Sequence, residues 1–155
     1  MKNDSRLSGL LHVLLHMVES TGPVTSEVLA RAMQTNPVVI RRIMAGLRER
    51  GYVRSEKGHG GGWILARDLA EISLRDVYEA LGDPALLAIG HRSEQTTCLV
   101  EQAVNAAVAD SFREAEAFLL ARLGGITLQM LSTDFHARLA QRSLAQGTRP
   151  DSSCP

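Results

Sequence analysis

From Asn36 to Arg67 the chain reads NPVVIRRIMAGLRERGYVRSEKGHGGGWILAR, with seven Lys/Arg against two Asp/Glu. These residues favour one order of elements: a capped helix, an abrupt stop and a hairpin with a glycine tip. Asn36 is suited to accept from the first unpaired amides, Pro37 has no N–H to lose at the first helical position, and Gly51 stands where a left-handed C-terminal cap is expected. Between them Ile40, Ile43, Met44 and Leu47 recur at the three-and-four spacing of one apolar stripe, which is predicted to face the core. The opposite stripe is Val38, Arg41, Arg42 and Ala45. Two readings of that face are open. It is either a solvated surface or a surface that enters a duplex groove, where Arg pairs with guanine or phosphate and small neighbours admit the backbone to the base edges.

The flanking segments narrow the choice. Thr25 precedes SEVLARAM, a short helix with Val28, Leu29 and Met33 predicted inward and Glu27 in its first turn. Only Gln34 to Asn36 separate it from the basic helix, which is the helix-turn-helix order. Earlier, Leu7, Leu10, Leu11, Leu14, Leu15 and Val18 form an apolar stripe on a first helix ended by Thr21-Gly22-Pro23. After Gly51, Tyr52–Glu56 and Trp63–Arg67 have the alternation of two strands, with Lys57 to Gly62 as the turn. Four glycines in those six residues permit positive torsions and a close approach to a sugar-phosphate wall, and Lys57 and His59 add donors at the tip. A plain hairpin turn without a ligand is the other reading. A nucleotide phosphate loop is not expected, because no Gly-Lys-Ser/Thr follows and no helix opens directly after it. Trp63 is predicted as a half-buried anchor for the hairpin rather than a base-stacking platform.

At this point the chain resembles the Rrf-two family of bacterial winged-helix transcription regulators. The resemblance is carried by the helix-turn-helix, then RGYVRSEKGHGGGWILAR, EISLRDVYEALG, Cys98, a long helix and GITLQML, from about Ser5 to Leu131. It implies a mainly α fold with a small β-hairpin wing, a winged helix-turn-helix plus a long C-terminal dimerisation helix. It also implies a homodimer on double-stranded DNA, with recognition helices in successive major grooves and glycine wings in the flanking minor grooves. Repression is the family default. The expected DNA-binding residues are Asn36, Val38, Arg41, Arg42, Lys57, His59, Gly60, Gly61 and Gly62. The expected divisions are 1–82 for the DNA-binding domain, 83–98 for a loop, 99–145 for the dimerisation helix and a C-terminal helical segment, and 146–155 for a flexible tail.

The zero net charge hides a division consistent with this. Residues 1–68 carry ten Lys/Arg and six Asp/Glu, and residues 69–155 carry seven and eleven, so a basic half is joined to an acidic half. The hydrophobic share of 45% excludes a mainly disordered chain. No stretch is apolar enough to span a membrane and MKNDSRLSG lacks a secretory core, so the expected location is the cytoplasm. Two cysteines make no disulfide framework.

In the acidic half, Ser73 with Asp76 resembles a capping box, Val77 and Leu81 are predicted inward, and Gly82 and Pro84 end that short helix. Leu99 to Leu123 holds no proline or glycine, with Val104, Ala107, Val108, Ala115, Phe118 and Leu119 as its apolar stripe. At about 37 Å such a helix either folds back over its own core or packs on a second copy. Gly124-Gly125 breaks it, and Thr127 is placed to cap the next segment.

The resemblance raises an iron-sulfur cluster, yet relatives with one place three cysteines before the long helix. Here Cys98 stands alone in that region, Glu101 follows three residues later, and Cys154 lies near the end of the sequence. A cluster usually needs four ligands, mostly thiolates, so no cofactor is expected. Cys98 has two readings, a redox thiol at the mouth of the long helix or a small hydrophobe with no signalling role. His12 and His16, four apart with Glu19 nearby, lack an HExxH pattern or a third clear ligand, so no metal site is assigned; a link between His12 and Cys98 is the faint exception. His91 and His136 receive no role. Scattered carboxylates and the lack of a Ser/His/Asp, Cys/His or metal motif leave no catalytic residue to name. The alternative function is a winged-helix adaptor that binds proteins and not DNA.

Overall fold

Side-chain caps start the helices where local chemistry allows. The computed structural model describes residues 6–82, 84 and 97–146, so most of the predicted 83–98 loop, the 147–155 tail, His91 and Cys154 lie outside the described residues. Helix α1 spans Arg6–Glu19 and α2 spans Ser26–Ala32, where the Thr25 hydroxyl accepts from the Val28 amide at 3.4 Å. Helix α3 spans Pro37–Glu49; Asn36 Oδ1 accepts from the Val38 amide at 2.8 Å, and Gly51 follows at φ +76°. Gln34, at φ +50°, makes the bend between α2 and α3.

Strands β1 (Val53–Glu56) and β2 (Gly62–Leu65) pair antiparallel, with Val53 opposite Leu65 and Glu56 opposite Gly62. Both are shorter than predicted. Trp63 also exchanges backbone hydrogen bonds with Val24, at 3.0 and 2.8 Å, so the hairpin is tied to the segment before α2. A 3-10 turn at Leu69–Glu71 leads to α4 (Leu74–Ala80). Ser73 and Asp76 form the predicted capping box there: the Asp76 amide donates to the Ser73 hydroxyl, and the Ser73 amide donates to Asp76 Oδ2 at 2.7 Å. Helix α5 spans Leu99–Gly124 and α6 spans Leu128–Gln146, with the Thr127 hydroxyl accepting from the Met130 amide at 3.3 Å.

One apolar core holds α1 to α4, the hairpin and the start of α6. Leu10, Val13, Leu14, Leu29, Ile40, Met44, Leu47, Val53, Ile72, Val77 and Leu128 are almost fully buried. The predicted inward stripe of α3 is the buried one. Leu128 joins this core because a bridge between Ser73 and Thr127 pins the start of α6, with amides of Leu74 and Leu128 donating to the carbonyls of Ile126 and Ile72, both at 2.9 Å. Gly46 lies within α3 where a Cβ would meet the Ala80 carbonyl at 2.9 Å, so its absence of a side chain lets α3 and α4 cross closely.

Three inward assignments need correction. In α1 Leu10 and Leu14 are buried as expected and Leu7 and Leu11 pack against the core, but Val13 and Met17 are buried too while Leu15 and Val18 are only half-buried; leucine on several faces leaves the phase to packing. Val28 is exposed, because the short α2 turns Ser26, Leu29 and Ala30 inward. Trp63 is buried rather than half-buried, its Nε1 donating to Ser26 Oγ at 2.9 Å.

Candidate nucleic-acid interface

The exposed face of α3 follows from its buried one. With Ile40, Ile43, Met44 and Leu47 in the core, the helical period turns Val38, Val39, Arg41, Arg42 and Arg48 to solvent and leaves Ala45 half-buried. Val38 is 61% exposed. Single exposed apolar side chains are ordinary on a protein surface, but at this place a branched one is suited to contact with a thymine methyl. Arg42 is exposed and makes no ion pair among the described residues. Arg41 is different: its Nη2 donates to Glu27 Oε1 of α2 at 2.7 Å. The amide of Glu27 is the main influence holding its carboxyl below the usual range; Arg41 and the Thr25 hydroxyl add to it, against desolvation. Glu27 and Arg48 were not among the predicted site residues. The sequence offers no local signal for a pair fourteen residues apart.

The Oδ1 of Asn36 is engaged by the cap, which shapes the start of α3. In the wing, Lys57, His59 and Gly60 are exposed at the tip. The four glycines divide by cause. Gly58 and Gly60 take φ of +100° and +81°, which other residues rarely adopt, with open space where a side chain would go. Gly61 and Gly62 are crowded instead: a Cβ on Gly61 would collide with the Glu56 carbonyl, and one on Gly62 would meet the Val24 carbonyl at 2.6 Å. Freedom to approach a ligand therefore describes the tip, while Gly61 and Gly62 are required by the hairpin's own packing. Trp63, buried against Ser26, is unavailable for base stacking and serves as the wing's anchor.

Away from this face, Tyr52 donates to Asp76 Oδ1 at 2.7 Å, tying the start of the wing to α4. Burial and this bond push the Tyr52 hydroxyl's pKa up. The His12 and His16 rings meet Nε2 to Nε2 at 2.7 Å, and His136 reaches Glu19 at 3.2 Å. Desolvation and then His12 lower the proton affinity of His16, against Glu19. Among the described residues no three His, Cys, Asp or Glu groups come together as a metal site. Cys98 is exposed at the N-cap of α5 and makes no side-chain capping bond.

A three-helix core with a helix-turn-helix, a basic exposed second helix and a tied glycine wing defines the winged-helix class of regulators. The family match is to Rrf2, described as an iron-dependent transcriptional regulator, over residues 3–134. The chain belongs to the Rrf2 family of transcription regulators. It is 30% identical over 113 residues to YwnA of Bacillus subtilis (strain 168), named as an HTH-type transcriptional regulator, covering 73% of this chain and 84% of that one. A crystal structure of a transcriptional regulator from Lactobacillus plantarum superposes with a TM-score of 0.70 at 24% identity, covering 94% and 99% of the two chains. IscR of T. potens superposes at 0.58 and 20% identity, over 96% and 93%; these two structures speak for the fold. The family's description carries iron, but the described donor set does not fit a four-ligand cluster. Cys98 is the single cysteine among the described residues, and among those residues it belongs to no group of three His, Cys, Asp or Glu that could hold a metal ion.

Proposed function

We propose that this protein binds an inverted-repeat operator as a homodimer and represses transcription in the cytoplasm, in a binding role and not a catalytic one. The observation that carries the reading is the exposed α3 face, on which Val38, Arg41 and Arg42 stand outward from a helix capped at both ends and buried along its other side. In this reading α3 enters the major groove, Lys57, His59 and Gly60 approach the minor groove, and Gly61 and Gly62 hold the wing's shape. Asn36 sets the entry angle through its cap.

The dimer is supported by α5. At 26 residues it is about 39 Å long, it buries no residue, and its apolar stripe is largely the uncovered one, with Val104, Phe118 and Leu119 exposed. A second copy of the same helix satisfies that stripe, and two joined readers gain from an effectively intramolecular second contact. Cys98, exposed at the entry to α5, is the candidate thiol through which oxidants would reach the dimer helix.

The test is selection of bound fragments from genomic or random DNA, followed by affinity measurement from about 50 to 200 mM salt and sizing of the complex. The expected result is an enriched inverted repeat bound by two chains, with affinity falling steeply as salt rises through counterion release. No enriched sequence, or no binding at low salt, overturns the reading and favours a protein-binding adaptor.

A further inference from the structure

Arg41 sits at the centre of the outward stripe of α3, between Val38 and Ala45, yet it is held by a group that faces the duplex side. Glu27 belongs to the first turn of α2, where the helix's positive end favours an acid. Its carboxylate reaches across the helix-turn-helix to Arg41 Nη2 at 2.7 Å. The two side chains are 56% and 57% exposed, so the pair contributes little to folding. The effect of the carboxylate, exerted through Arg41, therefore falls on binding and not on the core.

A guanidinium has five N–H donors in a rigid fork. With Nη2 engaged by Glu27, the azimuth of the fork is set and its remaining donors stay available for guanine O6 and N7. A phosphate at a random sequence meets a neutralised Arg beside a carboxylate. Resting on the proposed DNA-binding function, we propose that Glu27 is a specificity-positioning residue: it orients Arg41 for base reading and withholds its charge from non-specific phosphate contact. Arg42, which lacks such a partner among the described residues, supplies the general phosphate grip.

The experiment compares wild type, Glu27→Gln, Arg41→Ala and the double variant on the selected operator and on a random duplex of equal length, across a salt series. For Glu27→Gln the random-duplex affinity is expected to rise several-fold, and its salt dependence to steepen by about one unit of slope, as one more phosphate is neutralised. The operator-to-random ratio is expected to fall by about tenfold, the size of a single lost base contact. In the Arg41→Ala background the Glu27→Gln effect is expected to vanish, since the carboxylate acts through that guanidinium. A Glu27→Gln variant that keeps the wild-type ratio, or one with the same effect whether or not Arg41 is present, overturns the proposal while leaving the DNA-binding function intact. Wild type that binds neither duplex overturns both together. Unchanged thermal unfolding of the four proteins shows that the differences lie in recognition.

Discussion

Helices α3 and α5 are both long and both rich in apolar residues, yet they are used in opposite ways. α3 commits one stripe to the core and leaves a basic one outside; α5 has no fully buried residue and only half-buries a stripe that includes Phe112, Leu120 and Leu123. A helix that completes a core within its own chain can be read from the period of its residues. The stripe of Val104, Phe118 and Leu119 is open among the described residues, and in the proposed dimer a second copy covers it. The difference teaches that apolar periodicity reports a face to be covered, not what covers it.

The largest effect is expected where α5 is challenged. Val104→Asp with Phe118→Asp should convert the proposed dimer to monomers in sedimentation and weaken operator binding by about 100-fold or more, through loss of the linked second contact. The far-ultraviolet circular dichroism should hold. A dimer that survives both charges would break the contrast between the two helices.

The next effect, on stability rather than binding, belongs to α3. Leu47 is fully buried, so Leu47→Ala should lower unfolding stability by about 2 to 5 kcal/mol in urea titration. A loss under about 1 kcal/mol would mean that the core of the single chain is less committed than its burial implies. Together with the α5 variant, it separates what holds one chain from what joins two.

The smallest effect is a pH dependence at α4, which lies between the two regions. Burial favours the neutral form of Asp76, but hydrogen bonds from Ser73 and Tyr52 outweigh it and hold the carboxyl below its usual range. A lowered folded-state pKa means that its contribution is present above the unfolded value and is lost as pH falls through the folded one. The urea midpoint should therefore drop between about pH 5 and pH 3 more in wild type than in Asp76→Asn. Equal drops in the two proteins would remove Asp76 from the account of how the wing is tied to α4.

Much of the candidate interface was legible because its causes are local. Asn36, Pro37 and Gly51 punctuate α3, and the buried stripe follows from one period with a single consistent phase. The α1 phase was not legible in the same way, since leucines at 7, 10, 11, 14 and 15 offer several apolar faces and packing chose the one containing Val13 and Met17. The crowding at Gly61 and Gly62 was hidden behind the flexibility that glycine also implies. Pairs far apart in the chain were out of reach: Glu27 with Arg41, and Ser26 with Trp63 at a separation of 37.

Capping chemistry, helical period and charge placement along the chain are enough to specify where α3 begins and ends, which of its faces is basic, and that a glycine hairpin comes after it. They act between neighbours, so no distant residue is needed to read them. Folding alone decided that Leu128 fills the core of the winged helix, that Trp63 locks the wing through Ser26, and that Glu27 holds Arg41. Each is a contact between segments whose distance along the chain says nothing of their distance in space.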